Sequence, residues 1–143
     1  MTNPAIAKAE MKELTMDEQV RRALARDRTI DITTTGRQSG QPRRIETWAY
    51  PSNGEVYLTG SPGQRDWYAN LLANPAFTLH LKRGVSADLP AHASPIQDPE
   101  VRRAILAPIL ADLNSTHDLD AWVAGSPLMV VSFDNDRGLS EVR

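Results

Sequence analysis

The chain has 143 residues, of which 41% are apolar and 24% charged, a formal net charge of −2 and no cysteine. That length suits one domain, residues 1 to 143, able to bury a core, and the ordinary composition excludes disordered and collagen-like classes. Without cysteine there are no disulfides, thiolate nucleophiles or cysteine zinc sites.

The longest apolar runs, such as residues 128 to 131, fall far short of the roughly eighteen residues needed to cross a bilayer. The N-terminal stretch mixes acids with lysines and lacks a continuous apolar segment, so it does not read as a secretory signal, and a cytoplasmic protein is expected. Arg37, Arg43, Arg44 and Arg65 fall mid-chain while acids concentrate elsewhere. This is a local basic region rather than a nucleic-acid footprint, and it suits a small bound anion.

Thr15 and Glu18 have the spacing of a capping box, and Met16, Val20, Ala23 and Leu24 follow at helical spacing, which predicts a helix over 16 to 27. From Thr29 the period changes to a strand, broken between Gly36 and Pro42. Residues 44 to 50 and 55 to 60 alternate around Ser52-Asn53-Gly54 and read as a hairpin. Trp67, Tyr68, Leu71 and Leu72 predict a short helix over 66 to 73, ended by Asn74-Pro75. Phe77, Leu79 and Leu81 alternate as a strand, followed by a weaker extended stretch from 85 to 96 that Pro90 should interrupt, suited to a sheet edge. Asp98-Pro99 starts a further helix that Pro108 should kink or end. Asp118 caps a last short helix, and residues 128 to 133 form a buried strand. About six strands with short connections and interspersed helices predict a small antiparallel barrel with helices packed outside.

The segment TTTGRQSGQPRR, residues 33 to 44, combines two permissive glycines, the Ser39 hydroxyl and three arginines whose forked donors match phosphate or carboxylate oxygens. A solvated hairpin turn accounts for the same pattern. In GSPGQRDWYANL, residues 60 to 71, a glycine-rich turn runs into a helix, so Gly60, Ser61 and Gly63 offer backbone donors beside unpaired helix N–H groups, with Arg65 adding a charge. A plain loop and cap is again the alternative. His80 and His92 have no partner at metal-ligand spacing, and no metal is assigned. Trp48, Trp67 and Trp122 suit either a core or a cavity wall, and His117 is a candidate proton donor or a structural residue near a helix cap.

Together, ITTTGRQSGQPRR and DWYANLLANP, in that order around a hairpin strand with a small-residue turn, resemble the deazaflavin-dependent nitroreductase family, also called coenzyme F-420-dependent quinone reductase-like. The resemblance covers residues 29 to 83 well and the rest in outline. It implies a mainly β (α+β) fold: a split antiparallel β-barrel like that of the flavin-binding pyridoxamine oxidases. It further implies that Arg37, Ser39, Arg43 and Arg44 meet the acidic tail of the cofactor, with Ser61, Gly63 and Arg65 near its phosphate and Gly40 and Pro62 in the two turns. Thr47 and Trp48 would lie along the ring, Thr59 and Gly60 opposite, and Trp67, Tyr68 and Asn70 would brace the wall. Some relatives carry a lysine where Pro62 stands, a charge that Arg65 replaces, and tyrosines over the substrate pocket where this chain has Leu113, Thr116, His117 and Leu119.

The implied activity is hydride transfer from reduced F-420 to an electron-poor small molecule: an activated C=C, a quinone or a nitro compound. The cofactor carries that chemistry, which explains the lack of an obvious nucleophile or acid–base pair. The rivals are an FMN-binding reductase on the same fold and a non-catalytic carrier of the deazaflavin, a fatty acid, haem or a tetrapyrrole. The expected partners are a small-molecule acceptor and no nucleic acid, with the protein a monomer or homodimer.

Overall fold

The computed structural model describes residues 16–113 and 118–134. Its elements are α1 (Met16–Arg26), β1 (Thr29–Thr35), β2 (Pro42–Ser52), β3 (Glu55–Thr59), α2 (Asp66–Ala73), β4 (Ala76–Leu81), β5 (Ala87–Pro95), α3 (Pro99–Asp112), α4 (Leu119–Gly125) and β6 (Leu128–Phe133). Thr15, Thr116 and His117 lie outside the described residues, so the first half of the capping box and the candidate proton donor receive no structural account. No helix of the described residues is long and apolar enough to cross a membrane.

The six strands form a closed antiparallel barrel in the order β1-β2-β3-β6-β5-β4. Alternation decides the faces: Ile30, Ile32 and Thr34 of β1 point inward, as do Leu79 and Leu81 of β4, while Asp31, Thr33 and His80 point outward. The barrel core is sealed from α1 by Val20, Ala23 and Leu24 and from α2 by Trp67 and Leu71. A second cluster forms outside, where Tyr57 and Leu128 meet Leu106 and Leu110 of α3 and Trp122 of α4. Asn53 and Gly54 both have positive φ, 51° and 79°, the two-residue turn whose twist matches a hairpin.

Two proline expectations are corrected. Pro90 does not interrupt the extended stretch, and β5 is not an edge: it pairs with both β4 and β6. The Pro90 carbonyl accepts the Asp134 N–H at 3.0 Å, so the missing Pro90 N–H faces the same way, just past the end of β6, where no ladder bond is lost from the middle of the sheet. Pro108 does not end α3 either; the helix continues to Asp112, its last turn held by the buried Ile109 and Leu110. At its start Asp98 accepts from the N–H groups of Glu100 and Val101, as its cap position demands.

Arg102 fastens α3 to α4 from the inside. Its guanidinium donates to the carbonyls of Val123 (2.7 Å), Ile96 (2.8 Å), Trp122 (3.2 Å) and Ser126 (2.6 Å), and burial lowers its pKa from the usual value. Planar, forked donors suit several carbonyls at once in a way that a lysine does not.

On the outer face, the closing β1–β4 seam carries two polar chains. Lys82 and Arg44 bind the two oxygens of Asp31 at 2.6 and 3.0 Å, Lys82 also reaches Glu46, and His80 bridges Thr33 (2.7 Å) and Asp88 (2.6 Å). The Lys82 hydrogen bond, helped by Arg44, outweighs desolvation and holds the Asp31 carboxyl below its ordinary 3.8, while bonds to Asp31 and then Glu46 raise Lys82 above 10.5.

Arg102→Met strands four carbonyls and should lower the unfolding free energy by about 3 kcal/mol or more, read by urea denaturation with Trp122 as the fluorescent reporter. The depressed Asp31 pKa stabilises the fold fully above 3.8, and this contribution is lost as pH falls through the lowered value; the Lys82 contribution is full below 10.5 and lost as pH rises through its raised value. Asp31→Asn should therefore be less stable than the native chain at pH 7, with the gap closing below pH 3.8 in a pH series of urea melts. A gap that does not change with pH would contradict the assignment.

Candidate functional site

The site starts from unequal strands. β2 is eleven residues long and β3 only five, and their register runs from Trp48↔Thr59 to Ser52↔Glu55. From Pro42 to Thr47, β2 pairs with β1 on one side and has no ladder partner on the other among the described residues. Its free edge presents backbone N–H and C=O groups, while the chain after Thr59 turns away through Gly60–Arg65 into α2. Between that edge and that loop lies a cavity of about 550 Å³, lined by Ile45, Glu46, Thr47, Trp48, Thr59, Gly60, Ser61, Arg65 and Trp67. Trp48 is 44% exposed and meets Tyr50 edge-on at 6.4 Å, whereas the Thr59 hydroxyl is buried and donates to the Pro127 carbonyl at 2.7 Å.

A second cavity, about 370 Å³, continues from the first across Ile45 and Trp67 and is walled by Thr34, Gly36, Arg37, Gln38, Ser39, Arg43, Asp66 and Asn70. The β1–β2 turn here is held by its own bonds. Gly36 N–H donates to Gln41 O, Gly40 N–H to Gly36 O (both 2.9 Å), and the Ser39 hydroxyl accepts the Gln41 N–H at 3.1 Å. A Cβ at Gly36 would sit 2.5 Å from the Ser39 hydroxyl oxygen, so that close approach needs glycine, and Gly40 takes a positive φ of 70°. Asn70, buried on α2, ties the turn to the helix. Its carbonyl oxygen accepts both the Arg37 backbone N–H (3.1 Å) and Nη1 (2.8 Å), and its amide donates to Thr34 at 3.4 Å. Arg37 Nη2 also stands 3.4 Å from Asp66. The Arg43 side chain has no bonding partner among the described residues.

The loop before α2 is built around Arg65. Its guanidinium donates to the Ser61 carbonyl at 3.0 Å and the Gln64 carbonyl at 3.3 Å, and lies so close that a Cβ at Gly60 or Gly63 would meet its nitrogens at 3.3 and 3.1 Å. Gly63 N–H reaches the Gly125 carbonyl at the end of α4. Arg65 is also the N-cap of α2 without a side-chain cap bond; the Ala69 N–H makes the first helical bond, to the Arg65 carbonyl, which leaves earlier N–H groups for an anion. A larger cavity, about 1180 Å³, is lined by Arg65 and Arg37 together with Tyr68, Gln97, Arg102 and the Gly125–Pro127 corner.

Of the residues singled out in the sequence, Arg37, Ser39, Arg43, Thr47, Trp48, Thr59, Gly60, Ser61, Gly63, Arg65, Trp67, Tyr68 and Asn70 line this connected set of cavities. Gly40 shapes the turn and Pro62 packs on Gly125, and neither lines a wall. Arg44, although next to Arg43, points to the opposite face of β2, where Asp31 binds it. Leu113 and Leu119 pack into the outer cluster rather than over the cavity beside Trp48. Sequence reasoning passed over Ile45, which the alternation through Arg43, Ile45 and Thr47 carries, and Arg102, whose helical setting gives no sign of its four carbonyl partners.

Residues 8–131 match the F420H(2)-dependent quinone reductase family. The fold is shared with solved structures of low sequence identity. A Bacteroides thetaiotaomicron protein named for 5-nitroimidazole antibiotic resistance is 18% identical, with a TM-score of 0.65 over 85% of this chain and 82% of that one. A Listeria innocua protein named for pyridoxamine 5'-phosphate oxidase is 13% identical, with a TM-score of 0.64 over 85% and 95%. A protein named F420 reductase is 18% identical, with a TM-score of 0.60 over 79% and 91%. The barrel is thus of the pyridoxamine-oxidase-like split type. By the match over most of its length, the chain belongs to the F420H(2)-dependent quinone reductase family and is a reductase that uses the deazaflavin coenzyme F-420 on a small-molecule acceptor.

Proposed function

We propose that this single-domain, cytoplasmic protein transfers hydride to electron-poor small molecules, namely quinones, nitro compounds or activated C=C bonds, with F-420 seated along the free edge of β2. The observation that carries this is the unpaired run from Pro42 to Thr47, which faces a glycine loop between two sources of guanidinium charge. A deazaflavin ring is flat, apolar on its faces and rimmed by amide-like donors and acceptors. An open strand edge beside Trp48 and Thr47 offers matching backbone groups and an aromatic surface.

The phosphate and acidic tail call for fixed cations. Arg37 is held in place by Asn70, the Arg43 side chain has no partner among the described residues, and Arg65 is held by carbonyls rather than carboxylates. These three, with the Ser39 and Ser61 hydroxyls and the Gly63 segment, are assigned the tail and its phosphate. Arg44 is assigned to the barrel seam instead, being already paired with Asp31.

When bound and reduced, the deazaflavin supplies the hydride. The chain's own work would be to anchor the tail at a distance from the reacting end and to hold the ring at the β2 edge, with Thr47, Trp48, Thr59 and Gly60 as the residues that line its place. The half-exposed Trp48 ring leaves an open side through which acceptors of varied shape approach, which fits broad acceptor selectivity.

Arg37→Ala or Arg43→Ala should weaken binding of the full cofactor by about 1–3 kcal/mol while affecting the tail-less chromophore less, measured by fluorescence titration of both ligands. Equal losses would contradict the assigned roles, and tighter binding of FMN than of F-420 by the native chain would overturn the cofactor's placement in this groove. In turnover, the protein loaded with reduced F-420 should consume menadione, a nitroaromatic or an unsaturated lactone faster than free cofactor does; no acceleration with any of them would make it a carrier.

A further inference from the structure

We infer a second ligand site at the opposite end of the barrel, selective for a compact apolar monocarboxylate. Its cavity, about 420 Å³, lies between α1, the β2–β3 turn and the end of β6, and shares no lining residue with the three cavities described above. That volume falls within the range of small-molecule sites. Along β2 it begins at Pro51, three residues beyond Trp48, where the groove ends, roughly 10 Å away at the rise of a strand.

Leu24 of α1, Val56 of β3, and Val131 and Phe133 of β6 give it apolar walls, beside the polar Ser52, Asn53, Glu55 and Ser132. One cation stands among them, Arg21, whose Nη1 is cut off from solvent and has no hydrogen-bond partner among the described residues. A buried guanidinium N–H left unpaired is costly, and the group best matched to that planar fork is a carboxylate, which takes two parallel N–H donors. For a carboxylate to meet that donor, the guanidinium has to turn toward the cavity that Arg21 lines.

The remaining charge narrows the class. Glu55 also lines the cavity and opposes any negative charge on the ligand, and Arg21 is the one cation among the lining residues to offset it, so a second ligand charge would find no counterpart. A phosphate dianion is therefore disfavoured, as is a fully polar acid, which would leave the Leu24, Val56 and Phe133 surfaces dry but unfilled. What fits is one carboxylate on an apolar body.

The test uses the full chain saturated with F-420, with 2-naphthoate and its neutral counterpart 2-naphthalenemethanol as probes, followed by calorimetry and by amide chemical shifts. The expected result is saturable naphthoate binding that shifts Gly54, Val56 and Ser132, leaves Gly60 and Gly63 in place and does not displace F-420. Arg21→Gln should weaken naphthoate at least tenfold and the alcohol less than twofold. Ala25→Trp, at an exposed helix position on the cavity rim, should block both probes while the thermal melt and F-420 binding stay native, and it serves alone if Arg21→Gln does not fold. Absence of saturable binding, shifts centred on the F-420 groove, displacement of F-420, or equal losses for acid and alcohol would each overturn the inference.

Discussion

β2 runs six residues past the point where β3 leaves it, and much of the molecule is a response to that mismatch. A strand edge left without a neighbour is a liability in water, because its amides attract any other edge. Here the overhang is fenced by the Gly60–Arg65 loop on one side and by α2 behind it, and the enclosed space becomes a groove. The barrel closes elsewhere, through a short seam of β1 against β4 and through β5 against β6.

Both basic turns of the groove are tied to one helix. Asn70 joins the β1–β2 turn to α2 with three hydrogen bonds, and Arg65 joins the loop to the start of the same helix. α2 thereby acts as a common post for both basic turns, and its Trp67 and Leu71 root it in the barrel core. Packing energy in the interior is what keeps charged side chains at fixed separations at the rim.

Much of this was readable from residue order. The change from helical spacing in α1 to alternation in β1, the Asn53-Gly54 turn and the Asp98-Pro99 cap each express a local rule that the fold obeys. The prolines were misread because their cost depends on what lies opposite: Pro90 lost a bond only to a strand end, and Pro108 sits in a helix whose final turn is anchored by burial. Neighbouring arginines were hard to separate for a similar reason. Arg43 and Arg44 differ only by the parity of the strand, and which face meets Asp31 depends on the register between β1 and β2, a long-range property. Arg102 gave no warning at all, since its acceptors come from segments up to 24 positions away.

Arg65 couples two properties that are usually adjustable one at a time. The same guanidinium that gives the loop its charge also fills the space left by Gly60 and Gly63 and grips two carbonyls. A lysine would preserve the sign of the field yet leave the backbone unsupported, and a bulkier residue at either glycine would push the cation out of position. Electrostatic potential and main-chain contour at this corner must therefore drift together or not at all in any lineage that retains the groove.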